Sequence, residues 1–237
     1  MSDYDRWAAD YDFWAREMPE DVPWYVELAK ESDGMPIELA VGTGRVAIPV
    51  ARETGRRVIG IDRSRAMLAE ARRRGAEADV ELDLRLADMR DLELEEPADL
   101  IYCPARSLMH LPTWHDKRRV FERVAASLRP GGRFAWNAFA FNPFLAAEIH
   151  DRRTEIADRP ELWQVIHYAP GDNRVDLTRG HGAEELGTVR LWWATKSEWE
   201  GLIDVAGLDV EALYGGFRHE PFTDESTEFA WVARRPA

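Results

Sequence analysis

One cysteine, Cys103, is all the thiol chemistry this chain has. That excludes an internal disulfide and any cysteine-rich metal site, and no metal centre is expected. An excess of positive charge is missing too. The formal net charge is −13, which argues against a nucleic-acid or anionic-membrane partner, because phosphates are gripped by Lys and Arg. No apolar run approaches the roughly 18 residues of a membrane span. The first residues are acidic and aromatic, with no apolar signal-peptide core, so the cytoplasm is the expected compartment. Internal repeats, low-complexity tracts and flexible interdomain linkers are absent as well. Apolar and aromatic residues are plentiful. The 237 residues are 45% hydrophobic and include ten tryptophans, enough to bury a large core. That length suits one domain with an embellishment.

The rest of the chain is organised around Pro36-Ile37-Glu38-Leu39-Ala40-Val41-Gly42-Thr43-Gly44-Arg45. It reads as an apolar strand that stops at two glycines and turns into a helix. Glycines there let backbone approach a ligand where a side chain would collide, and the helix start adds unpaired N–H groups. A second apolar run, Val58-Ile59-Gly60-Ile61, ends at Asp62. A carboxylate after a second parallel strand can accept from both hydroxyls of a ribose. The first hypothesis is therefore a nucleoside cofactor in an α/β sheet.

Further units follow the same rhythm. The spacing predicts helices over 45–53 and 65–74, the second capped by Ser64 and ended by Gly75. Pro49 argues for a bent or late-starting first helix. Leu82, Leu84 and Leu86 alternate into Ala87-Asp88-Met89, and Ala98 to Cys103 is a fourth strand ended by Pro104. Thr113 with Asp116 resembles a capping box. Pro130-Gly131-Gly132 is a turn into a fifth strand over 133–139. Strand–helix alternation predicts a mostly parallel sheet, seven strands in all, with helices on both faces. Ligands of such sheets sit at the carboxyl ends of the strands, where Gly42, Asp62, Asp88 and Pro104 fall.

The expected organisation is an N-terminal lid over 1–35, a core over 36–141, a cover over 142–195 and a completion of the core over 196–237. The lid rests on a helical stripe of Tyr4, Trp7, Tyr11 and Trp14, and Tyr11 is expected to close over the cofactor. The cover breaks the alternation. Its extended runs 162–168, 174–179 and 188–194, with the turn Pro170-Gly171-Asp172-Asn173, predict an antiparallel β insertion after strand 5. Ser197 with Glu200 is the expected capping box of the next helix, and 208–214 with 228–232 a final strand pair.

Gly42-Thr43-Gly44-Arg45-Val46-Ala47 also fits a dinucleotide pattern, so the loop alone leaves NAD open. Glu38 inside the first strand suits a cationic ligand better than a pyrophosphate. Asp88-Met89 offers an acid and a backbone amide to an adenine. With Leu128-Arg129-Pro130-Gly131-Gly132, this ordered set resembles the class I S-adenosylmethionine-dependent methyltransferases, in their Rossmann-like fold and small-molecule, N-methyltransferase-like branch. The family often carries glycine at the position of Ala40.

The resemblance implies S-adenosylmethionine as cofactor and assigns roles. Ala40, Gly42, Thr43 and Gly44 would cradle the methionine end, with Glu38 stabilising positive charge. Asp62, flanked by Arg63, would hold the ribose. Asp88 and Met89 would hold the adenine. Pro104, Arg106, Ser107 and Leu108 would flank the methionine chain and the transferred methyl. Methyl transfer is an in-line displacement that needs alignment and exclusion of water, and a base only if the acceptor arrives protonated. His110 is the candidate base, since a free histidine titrates near neutral pH. Trp136, Asn137, Phe141, Trp163 and Trp192 could wall an acceptor pocket, although each aromatic reads equally as core packing. A small amine or hydroxyl acceptor is expected, on a monomer or a homodimer. An NAD(P)-dependent oxidoreductase and a non-catalytic S-adenosylmethionine-binding protein are the alternatives. The first lacks a Tyr-x-x-x-Lys pair, and an intact His110 counts against the second.

Overall fold

The computed structural model describes residues 21–156 and 159–237. Tyr4, Trp7, Tyr11 and Trp14, and the first twenty residues of the lid expected over 1–35, lie outside the described residues. The chain then runs α1 (Asp21–Lys30), β1 (Ile37–Leu39), α2 (Ala47–Thr54), β2 (Val58–Asp62), α3 (Arg65–Glu77), β3 (Leu82–Leu86) and β4 (Ala98–Cys103). It continues α4 (Trp114–Ser127), β5 (Leu128–Phe139), α5 (Pro143–Ile149), β6 (Arg153–Ile156), β7 (Arg159–Ala169), β8 (Arg174–His181) and β9 (Glu184–Trp192). It closes with α6 (Lys196–Val205), β10 (Asp209–Tyr214) and β11 (Glu228–Arg234).

Seven strands form one sheet in the order β10-β11-β5-β4-β1-β2-β3. β1 pairs in parallel with both β2 and β4, so the strand order reverses beside β1. That is where open α/β sheets bind ligands. Only β11 runs against its neighbours, antiparallel to β5 and β10. Alternation along the strands fills both faces. Leu100 and Tyr102 join α1 and α2 in one core, while Ile101, Cys103, Phe134 and Trp136 join α4 and α6 in the other. β6 to β9 form a separate antiparallel sheet.

Several local expectations need correction. The first βα helix starts late, at Ala47 rather than Arg45, as Pro49 predicts; Pro49 falls in its first turn, where a missing N–H leaves no hydrogen bond unmade. α3 runs past Gly75 to Glu77. Gly75 is instead a close-packing residue, for a Cβ there would sit 3.2 Å from Leu82. The Pro130-Gly131-Gly132 turn lies within β5. Gly131 takes a left-handed φ of 77°, and regular pairing with β4 resumes at Arg133. The insertion holds four strands and a preceding helix rather than three strands. The capping box of α6 is Thr195 with Glu198, not Ser197 with Glu200.

Candidate active site

The turn after β1 is built on left-handed backbone. Ala40, Gly42 and Gly44 have φ of 55°, 55° and 80°. Glycine adopts this freely, whereas alanine resists it by roughly 1–2 kcal/mol. The turn is tied to β2 by Asp62, whose Oδ2 accepts from the Gly42 N–H at 2.9 Å and whose Oδ1 accepts from the Ser64 N–H at 2.8 Å. Burial raises the Asp62 pKa, and the amides of Ser64 and Gly42 pull it back. Its ionised form is thus held by backbone, with lone pairs to spare for a diol.

Beyond β3, Asp88 caps a 3₁₀ turn at Met89–Asp91 and is gripped by Arg90, Nη2 to Oδ2 at 2.7 Å. This hydrogen bond lowers the Asp88 pKa. Arg90 also reaches Asp116 at 2.8 Å, fixing the loop to α4. Beyond β4, Ala105 and Arg106 both take φ of 60°, and a 3₁₀ turn spans Ser107–His110. The Ser107 hydroxyl donates to the Pro104 carbonyl at 2.7 Å. Buried Lys117 donates to the Leu111 carbonyl at 2.5 Å and so fastens the end of this loop. Burial pushes its pKa down to about 8.

These stretches enclose a cavity of about 360 Å³. Ala40, Gly42, Asp62, Arg63, Asp88, Met89, Ser107 and His110 all line it, joined by Val189, Arg190 and Trp192 of β9. Another cavity, of about 380 Å³, opens among Glu31, Asp99, Arg129 and Arg133, and none of these strand tips reaches it.

Other expected site residues lie elsewhere. Leu108 is fully buried in the core. Pro104, Thr43 and Gly44 support the loops without lining the cavity, and a Cβ on Gly44 would meet Ile48 at 3.1 Å. Trp136 is no pocket wall. It is wholly buried, stacked on Phe134 and Trp231 at 4.8 and 5.9 Å. Trp163 is also engaged elsewhere, within the insertion. Its ring covers Gly180, Arg153 lies 4.3 Å from its centroid, and its Nε1–H donates to Gly182 at 3.0 Å. Asn137 is buried between Tyr25 and Glu228. Phe141 stacks on Trp193 at 4.3 Å. Of the five expected acceptor residues, only Trp192 lines the cavity. Tyr25, Glu228, Arg90 and Arg190 were missed. Only Glu228 left a signal, an acid opening an otherwise apolar strand.

Glu38 sits in β1, 1% exposed, with Oε2 lacking a hydrogen-bond partner. Burial raises its pKa, countered by the Tyr102 hydroxyl and the charge of Arg45. An orphaned buried carboxyl behind a left-handed glycine loop suits a cationic ligand.

Residues 37–132 match the family model described as a methyltransferase domain. The chain is 27% identical over 212 residues to the cypemycin N-terminal methyltransferase of a Streptomyces species, covering 84% of this chain and 82% of that protein. Among solved structures, the CcbJ methyltransferase from Streptomyces caelestis is similar with a TM-score of 0.84 at 23% identity, over 98% of this chain and 97% of that one. S-adenosylmethionine-bound CalS10, an amino pentose methyltransferase from Micromonospora echinaspora, is similar with a TM-score of 0.71 at 20% identity over 96% of each chain. The sheet order and these neighbours give the chain the class I, Rossmann-like methyltransferase fold. The chain is an S-adenosylmethionine-dependent methyltransferase, and the oxidoreductase alternative falls away. The cradle fits its cofactor on the chain's own features. The carboxylates of Asp62 and Asp88 stand at one cavity, the glycine turn adjoins it, and Glu38 lies behind that turn. Among the described residues, no helix is long and apolar enough to cross a membrane.

Proposed function

We propose that this enzyme methylates an amine nitrogen of a small molecule, with His110 as the base that removes its proton. The carrying observation is that His110 lines the same cavity as Gly42, Asp62, Asp88 and Ser107. In this reading Asp62 takes the ribose hydroxyls, Asp88 and the Met89 amide take the adenine, and the Gly42 turn takes the methionine end. When bound beside Gly42, Asp62 and Asp88, the cofactor would supply an electrophilic methyl group to the nitrogen. The protein's own share is alignment and exclusion of water. Val189, Arg190 and Trp192 line the cavity from the insertion, which supports a role for β9 in specificity. Two relatives named for nitrogen support this reading, the cypemycin N-terminal methyltransferase and the amino pentose methyltransferase CalS10, while other relatives are named O-methyltransferases.

The test is a methyl-transfer assay with a panel of primary amines and matched alcohols. Amines turn over and alcohols do not. His110→Ala lowers kcat by roughly 10²–10⁴-fold, the usual worth of a positioned base, and leaves S-adenosylhomocysteine affinity within a factor of about two. Alcohol turnover without amine turnover overturns the nitrogen assignment. An unchanged kcat in His110→Ala removes the base.

A further inference from the structure

Around the carboxyl ends of β4 and β5, four polar side chains form one chain of hydrogen bonds. The Tyr25 hydroxyl donates to Asn137 Oδ1 at 2.9 Å, and Asn137 Nδ2 donates to Glu228 Oε1 at 2.7 Å. Arg106 Nη2 donates to Glu228 Oε2 at 2.5 Å, and its Nε lies 3.1 and 3.2 Å from the two carboxylate oxygens. Tyr25, Asn137 and Glu228 are almost wholly buried, whereas the Arg106 side chain is 32% exposed. Both oxygens of Glu228 are therefore engaged, and the carboxylate is itself buried.

Arg106 differs. A guanidinium carries five N–H donors in a planar arrangement, and Glu228 engages only its Nε/Nη2 side. The end of the fork, Nη1 and the second Nη2 hydrogen, points away from that contact by covalent geometry. The group is held in place from below. The Phe139 ring lies 5.9 Å from the guanidinium carbon. Phe141, Trp193 and Tyr168 form an adjoining aromatic cluster, Tyr168 at 5.7 Å from Phe141 and 6.1 Å from Trp193. Two successive left-handed residues, Ala105 and Arg106, set this position. Such backbone costs roughly 1–3 kcal/mol per residue and gathers at ligand sites. The very next residue, Ser107, lines the cofactor cavity.

We propose that Arg106 orients the methyl acceptor by binding a carboxylate on it, which makes the substrate a carboxylate-bearing amine. This rests on the amine reading above. Planar, paired donors match the two oxygens of a carboxylate, the geometry in which arginine binds most strongly. Glu228 and Asn137 are positioning residues that hold the fork.

Calorimetry on the full-length enzyme tests this with two probes that differ by one group, L-phenylalanine and phenethylamine. Both are titrated into protein saturated with S-adenosylhomocysteine. Wild type should bind L-phenylalanine in the millimolar range and phenethylamine at least tenfold more weakly, the loss of a charge-assisted contact. Arg106→Gln should erase that preference and leave S-adenosylhomocysteine affinity unchanged. Arg106→Lys keeps a cation beside buried Glu228, so the fold stands, and it lacks the paired donors. It should lose most of the preference. No preference in wild type, or one that survives in Arg106→Lys, overturns the proposal. An equal loss of S-adenosylhomocysteine affinity also overturns it, by giving the fork to the cofactor's own carboxylate. If the probes fail while amines are methylated, only this inference falls. If alcohols alone are methylated, the amine reading falls with it.

Discussion

Glu38 is the residue at which stability and binding pull apart. Its carboxyl is buried and half-partnered, and burial raises its pKa above the usual carboxylate value. A raised carboxylate pKa contributes stability that is complete below about pH 4.3 and is lost as pH rises toward the folded-state pKa. Glu38→Gln should therefore unfold at a higher temperature than wild type at pH 7, with the difference closing as pH falls to about 4. Differential scanning calorimetry at the two pH values reads this directly. The same variant should bind S-adenosylmethionine more weakly, since it cannot ionise opposite a cation, and its affinity should be flat with pH. Ala40 carries a milder version of the conflict. It holds a left-handed φ of 55° where the family often has glycine.

At the scale of elements, caps decide where α6 begins. Thr195 Oγ1 accepts from the Glu198 N–H at 3.3 Å, and the Glu198 carboxylate accepts from the Thr195 N–H at 2.7 Å. Thr195→Ala should cost roughly 1 kcal/mol, the usual worth of an N-cap. Ser197→Ala, inside the helix, should stay within about 0.5 kcal/mol of wild type. Urea unfolding of both variants distinguishes the two frames. The sequence offers both, because Thr195 and Ser197 each have a glutamate three residues on, and only packing of Trp199, Leu202 and Ile203 selects one. The same limit governs the aromatics. Trp136 and Trp192 each end or interrupt an extended run, yet one is buried between sheet and helices and the other faces a cavity. Strand tips were legible for a different reason. The βα rhythm states which end of each strand is the carboxyl end, so Gly42, Asp62 and Asp88 had to share a rim. Tyr25, Asn137, Glu228 and Arg106 had no such rule. Their links span separations of 91 to 122 residues, and nothing local announces them.

For the whole molecule, one cavity joins the parallel sheet to the insertion, through Val189, Arg190 and Trp192 on one side and the strand tips on the other. A ligand seated there braces both sheets. S-adenosylhomocysteine at 100 times its Kd should stabilise the fold by about 2.7 kcal/mol, which raises Tm by roughly 5–10 °C in a chain of this size. NAD at the same concentration should not move it. Thermal unfolding followed by tryptophan fluorescence measures both.

The seating of β11 between β10 and β5 has a consequence in time. The ribosome makes β11 after the ten strands numbered before it, yet that strand carries Glu228, the carboxylate that steadies Arg106. Until it has emerged and slid between two neighbours already synthesised, the nascent polypeptide has an unfinished edge and an unanchored guanidinium. Order around that guanidinium therefore arrives all at once, when this one strand pairs.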